Sequence, residues 1–238
     1  MKKENSLRVW SILGILCITL IIIILSLNFA LAHQPRIVFG KQTSSENPMI
    51  IDNPEISQAF YGNLNSSPDY YTINSFKDFD LYVSIVVPDL PDSRTDFNVE
   101  ILKNNKFISI LNGSSHNWTK FYEEFAGDDY LDGPEFDQRV SAGTYYIIVH
   151  NPVNLGKYSL AVGKVESFPI GETLKIFYTL PLIKKHFFNK PALSAYTSKV
   201  MLFVIIPVLI GIILLVILFF VVKFIIRKIK RNKKRKRR

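Results

Sequence analysis

Residues 142–163 read AGTYYIIVHNPVNLGKYSLAVG. Successive side chains of a strand point to opposite faces. In TYYIIVH, Tyr145, Ile147 and Val149 therefore share one face, and in KYSLAVG, Tyr158, Leu160 and Val162 do. Between the two runs lie Asn, Pro and Gly, the residues that reverse a chain. The same alternation recurs upstream. In DLYVSIVV, Leu81, Val83, Ile85 and Val87 fall together, and in DFNVEIL, Phe97, Val99 and Ile101 do. Asn104-Asn105 then separates DFNVEILK from FISIL, the spacing of a tight hairpin. Period-two runs at intervals of roughly 10 to 15 residues, with no helical stretch between them, predict an all-β, antiparallel, jelly-roll-like β-sandwich of about eight strands. IDNPEISQAFYGNL supplies its first strand, and Ile37-Val38-Phe39 an earlier one in the lead-in.

The block Ala142–Gly163 resembles the closing strands of bacterial and archaeal pre-peptidase C-terminal domains, where an "aGtYyi.V" strand precedes "G.Y.L.v". DYYTI at Asp69–Ile73 is similar to that family's opening strand, and DFNVEILKNNKFI to its hairpin. The resemblance spans residues 69–163, with Asn-Asn where the family turns on Asp-Gly and an acidic insertion beginning at Phe125. It implies an accessory sandwich of the kind appended to secreted enzymes, without catalytic residues to carry over. Independently of the family, Gly143 and Gly156 suit tight turns. Tyr145, Tyr146 and Tyr158 suit sandwich filling with hydroxyls satisfied at the rim.

Val200–Val222 is a run of 23 residues without a charge. At about 1.5 Å per residue it crosses a hydrocarbon core of about 30 Å. In Lys223–Arg238, 11 of 16 residues are Lys or Arg and none is acidic. Basic flanks stay on the cytoplasmic side, which predicts an internal tail and an external sandwich. Lys223, Arg227, Lys228, Lys230 and Arg231 are the expected contacts to headgroups of an anionic leaflet. Near the start, Val9–Ala32 is also free of charge, with an apolar heart at Ile12–Leu25 and an A-x-A pattern ending at Ala32. It reads as a signal peptide cut after Ala32 or as a retained anchor. The parse is residues 1–32 signal or anchor, 33–67 lead-in, 68–167 sandwich, 168–199 neck, 200–222 membrane helix and 223–238 tail.

The neck, PIGETLKIFYTLPLIKKHFFNKPALSAYTSK, has near-helical apolar spacing. Glu172–Leu180 predicts two helical turns that Pro181 kinks or ends. Two placements remain open. Its aromatics with Lys184, Lys185 and Lys190 suit a membrane interface, and the same residues suit a helix packed on the lower edge of the sandwich.

The net charge of +9 belongs to the tail, so the folded part is mildly acidic and carries no clustered basic footprint for nucleic acid. The sole cysteine, Cys17, lies in the first apolar run as filler, which leaves the exterior domain without a disulfide. GDDYLDGPEFD gathers Asp128, Asp129, Asp132, Glu135 and Asp137, an oxygen-rich loop of the kind calcium takes. It is not an EF-hand, since aligning Gly133 with that motif's glycine puts Tyr130 and Arg139 where ligands belong. A solvated acidic loop is the competing reading. His33, His116, His150 and His186 show no metal-ligand spacing, and no G-x-S-x-G, phosphate loop or C-x-x-C is present. Asn65, Asn112 and Asn117 head glycosylation sequons.

These features predict a membrane-anchored, non-enzymatic surface module that binds a glycan, an envelope component or a protein. The alternatives are an accessory subunit that docks through neck and helix, and an exported hydrolase. Apolar area exposed on the sandwich favours the first, and on the neck the second.

Overall fold

The computed structural model describes residues 14, 33–124 and 126–235. Cleavage after Ala32 and the role of Cys17 lie outside the described residues. Of these, residues 33–201 form one compact unit, and the helix from Leu202 onward belongs to another.

The described residues include eleven strands: β1 (Gln34–Ile37), β2 (Met49–Ile50), β3 (Gln58–Asn65), β4 (Asp69–Ser75), β5 (Phe79–Pro88), β6 (Asn98–Lys103), β7 (Lys106–Asn112), β8 (Thr119–Glu123), β9 (Asp128–Val140), β10 (Gly143–His150) and β11 (Leu155–Val162). They form a six-stranded sheet, β1-β3-β11-β5-β9-β8, and a five-stranded sheet, β2-β4-β10-β6-β7. Both sheets are mixed rather than purely antiparallel. The short lead-in strands β1 and β2 pair parallel with β3 and β4. The lead-in strand expected at Ile37-Val38-Phe39 forms slightly earlier, as β1, whereas β2, only two residues long, carries no period-two signal and was not expected.

One core joins the two sheets. Leu81, Val83, Ile85 and Val87 meet Phe97, Val99, Ile101, Tyr145, Ile147 and Val149, all buried as their alternation requires. Tyr158 enters from β11 and lies so close to β3 that a Cβ on Gly62 would stand 2.3 Å from its ring. Its hydroxyl donates to Asp69 at 2.6 Å and lies 2.7 Å from the Tyr71 hydroxyl. Tyr145 donates to the Ser141 carbonyl at 2.7 Å. Burying an aromatic with its hydroxyl satisfied keeps the apolar gain without an orphaned polar group. The Asn104-Asn105 turn closes β6 on β7 with φ of 47° and 63°, both left-handed, a region Asn tolerates.

After Gly163 the chain forms helix α1 (Ile170–His186), a 3-10 turn over Ala192–Thr197, and helix α2 (Lys199–Arg235). Pro181 neither ends nor begins α1 but sits inside it. Proline takes away the N–H that would bind the carbonyl four residues earlier, here that of Phe177. The Tyr196 hydroxyl donates to that carbonyl instead, at 3.3 Å. Of the two placements for the neck, α1 takes the packed one, on the outer face of the six-stranded sheet rather than its lower edge. Ile183, Phe187 and Phe188 bury against Ile37, Tyr61, Val86 and Tyr130. Within α2, Lys199–Lys228 is long and apolar enough to cross a membrane, with Pro207 inside it.

Candidate functional site

The outward residues of the six-stranded sheet are small in the middle: Ala59, Ser84, Ser159 and Ala161. Ile176, Leu180 and Ile183 of α1 face them. Small side chains beneath a helix leave room, and a cavity of about 420 Å³ opens between sheet and helix. Tyr82, Phe121, Glu123 and Asp132 form its sheet-side rim, and His33 and Val200 close other parts of the wall. Such a volume lies within the range of about 300 to 1,000 Å³ typical of small-molecule sites.

Two polar anchors hold α1 over this floor. Near its start, Arg36 donates to Glu172 at 2.5 Å, a carboxylate that Lys175 also reaches at 2.8 Å. Those two bonds hold the Glu172 carboxyl below its ordinary range although burial acts the other way. Near its end, Lys184 reaches Asp128 at 2.7 Å and the Ala126 carbonyl at 2.6 Å, and Lys190 takes the other oxygen of Asp128 at 2.9 Å. Lys184 and Asp128 are buried together, at 2% and 0% exposure. Lys184 and Lys190 thus bind a carboxylate of the same fold, and of Lys184, Lys185 and Lys190 only Lys185 is exposed.

The acidic run Asp128–Asp137 is not a loop. It lies in β9, the longest strand, which Gly133 lets pass Trp118 where the pairing to β5 shifts. At about 3.3 Å per residue, the run stretches over roughly 30 Å, so its five carboxylates do not converge on one ion. Each has separate surroundings. Asp128 is held by the two lysines, and Asp129 is exposed. Asp132 lies in the cavity wall, Glu135 accepts from Tyr82 at 3.0 Å, and Asp137 pairs with Lys164 at 2.5 Å. Burial, then the neighbouring Glu135, raises the Asp132 carboxyl above its ordinary value. Among the described residues, no three His, Cys, Asp or Glu side chains are gathered as a metal site requires.

The histidines stay apart. His150 lies 3.1 Å from Glu100, His186 is tilted on Phe39, and His116 is edge-on to Trp118. His33 contacts the Ser57 hydroxyl at 2.5 Å, but that serine is buried and does not line the cavity. Loss of solvent around the ring also lowers His33 below its ordinary value. Asn65 and Asn112 are the last residues of β3 and β7, and Asn117 precedes β8, all three exposed. In α2, Lys223, Arg227, Lys228 and Arg231 are exposed, and Lys230 belongs to the same helix. The cavity itself escaped the sequence reading, because its floor comes from three strands distant in the chain. The small outward pair Ser159 and Ala161 in KYSLAVG was its one local trace.

No protein-family model matches the chain, and no curated protein matches it. Among solved structures it is similar to the pre-peptidase C-terminal domain of a collagenase from Bacillus anthracis, at 14% identity and a TM-score of 0.32 over 51% of this chain and 98% of that one. It is also similar to the catalytic domain of a GH87 alpha-1,3-glucanase in complex with tetrasaccharides, at 14% identity and a TM-score of 0.25 over 45% and 22% of the two chains. A third is the surface-associated copper-binding protein CorA of Methylomicrobium album BG8, at 7% identity and a TM-score of 0.22 over 58% and 99%.

Proposed function

We propose that the protein is a membrane-anchored, non-enzymatic binding module whose sandwich, of pre-peptidase C-terminal type, stands outside the cell and takes a small ligand in the cleft beneath α1. The observation that carries this reading is the cleft itself, a concave, mostly apolar cavity with a few polar groups at its rim. The Ala142–Gly163 motif, folded as β10 and β11, supports the family assignment. The apolar run in α2 and the basic tail after it support an anchoring span with the tail in the cytoplasm, bound to anionic lipid. Native mass spectrometry of the full chain released from membranes tests the cleft. The wild type is expected to carry a small non-covalent adduct that Ala161→Trp, which fills the floor, lacks. Matching spectra would remove the cleft as a ligand site.

A second reading has its own observation. Ile170, Leu174, Tyr178 and Leu182 recur at every fourth position of α1, and all four are exposed. Residues so spaced share a helix face. That outward stripe supports an accessory-subunit role, docking through the neck.

A further inference from the structure

We infer that the cleft selects an amphiphile with an alkyl chain and a cationic polar head; this rests on the cleft being a ligand site. The body of the ligand follows from the wall. Sheet-side Ala59, Ala161 and Val86 and helix-side Ile176, Leu180 and Ile183 make an apolar trough rather than a polar pocket. Val200, the first residue of the apolar run Val200–Val222, also lies in the wall. A molecule with an alkyl chain, of the kind a bilayer holds, is the matching class.

The head follows from the charges. The described residues that line the cavity include two carboxylates, Asp132 and Glu123, and no lysine or arginine. Lys184 and Lys190 bind Asp128, and Lys199 binds Glu124 at 2.7 Å while also lying within electrostatic reach of Glu123. Lys164, 4.4 Å above the Tyr82 ring, binds Asp137. The Glu123 carboxylate accepts from the Ala126 N–H at 2.7 Å, which fixes it at the rim. An anionic head would meet two like charges at the cavity wall, and a cationic head meets its complement. The tyrosine hydroxyls and Ser84 and Ser159 accept as well as donate, so they accommodate an ammonium too.

Diazirine-bearing dodecylamine, dodecanol and dodecanoate test this with the full chain in nanodiscs of zwitterionic phosphatidylcholine. Adducts on cleft peptides are divided by those on the Val200–Val222 helix, which cancels partition into the bilayer. The amine is expected to label the cleft about tenfold more than the carboxylate, with the alcohol between them. Asp132→Asn is expected to bring the amine down to the level of the alcohol and leave alcohol labelling unchanged. Glu123→Gln gives the same readout if the first variant fails to fold. Ala161→Trp should abolish labelling by all three. Equal labelling by amine and carboxylate, or an amine preference untouched by both variants, would overturn the head-group inference and leave the cleft as a binding site. Labelling by all three probes no higher than in Ala161→Trp would overturn both.

Discussion

The Lys184 ammonium and the Asp128 carboxylate, 2.7 Å apart and both sealed from water, join the end of α1 to the start of β9. A buried pair of this kind is poor evidence of net stabilisation, but removing one partner strands the other's charge. Asp128→Ala is expected to lower stability by about 3–5 kcal/mol. Asp128→Leu with Lys184→Met should recover most of that loss. Lys190→Ala, at the solvent side of the same carboxylate, should change it by under about 1 kcal/mol. Thermal unfolding followed by circular dichroism separates the three, and a mild single Asp128 variant would contradict the burial.

Tyr158 occupies space that only a glycine at position 62 leaves free. Gly62→Ala forces the ring or the strand aside, with an expected loss of about 1–3 kcal/mol. Adding Tyr158→Leu should soften the penalty, because the atoms that collide are those of the ring. If the double variant is additive, the contact is not the cause.

Asp69 carries a pH signature. Burial raises its carboxyl above the ordinary 3.8, and hydrogen bonds from Tyr158 and Thr43 offset only part of that. A folded-state value above the unfolded one favours the fold while the group is protonated, and that contribution is lost as pH rises through the folded value. Asp69→Asn should therefore gain in melting midpoint relative to wild type as pH goes from below 3.8 to neutrality. A difference that stays flat, or runs the other way, would show Asp69 to be unshifted or lowered.

Pro181 and Tyr196 form a linked pair. Tyr196→Phe is expected to cost about 0.5–1.5 kcal/mol in the native background, where the Phe177 carbonyl depends on its hydroxyl. In Pro181→Ala the helix supplies its own N–H, so the same change should be close to neutral. Equal costs in both backgrounds would break the link.

Much of the two-sheet architecture could be read from periodicity. β5, β6, β10 and β11 alternate so regularly that their buried faces follow from the letters alone. Legibility failed where the deciding contact was remote. α1 passes Pro181 because a hydroxyl from the following 3-10 turn replaces the missing bond, and nothing within LPLI announces that. The acidic run read as a loop because its carboxylates are so dense, yet it lies in β9, where Gly133-Pro134 marks a shift in strand pairing. Of the carboxylates that suggested an ion, Asp128, Glu135 and Asp137 instead meet lysines and a tyrosine of other elements. The cleft depends on Ala59, Ser84, Ser159 and Ala161 being adjacent, which only the β3-β11-β5 order brings about.

The two attachments of α1 differ in how they meet solvent. Arg36–Glu172 is only half-buried and keeps some access to water and ions, and Lys184–Asp128 is sealed. Mobile ions screen exposed charges far more than enclosed ones. Rising ionic strength should therefore release the helix from one end, like a drawbridge, with the pivot at Lys184. Amide exchange would speed up first around Glu172–Ile176 and last around Thr179–Ile183, so the surrounding salt would set how far the cleft stands open without any change at its rim.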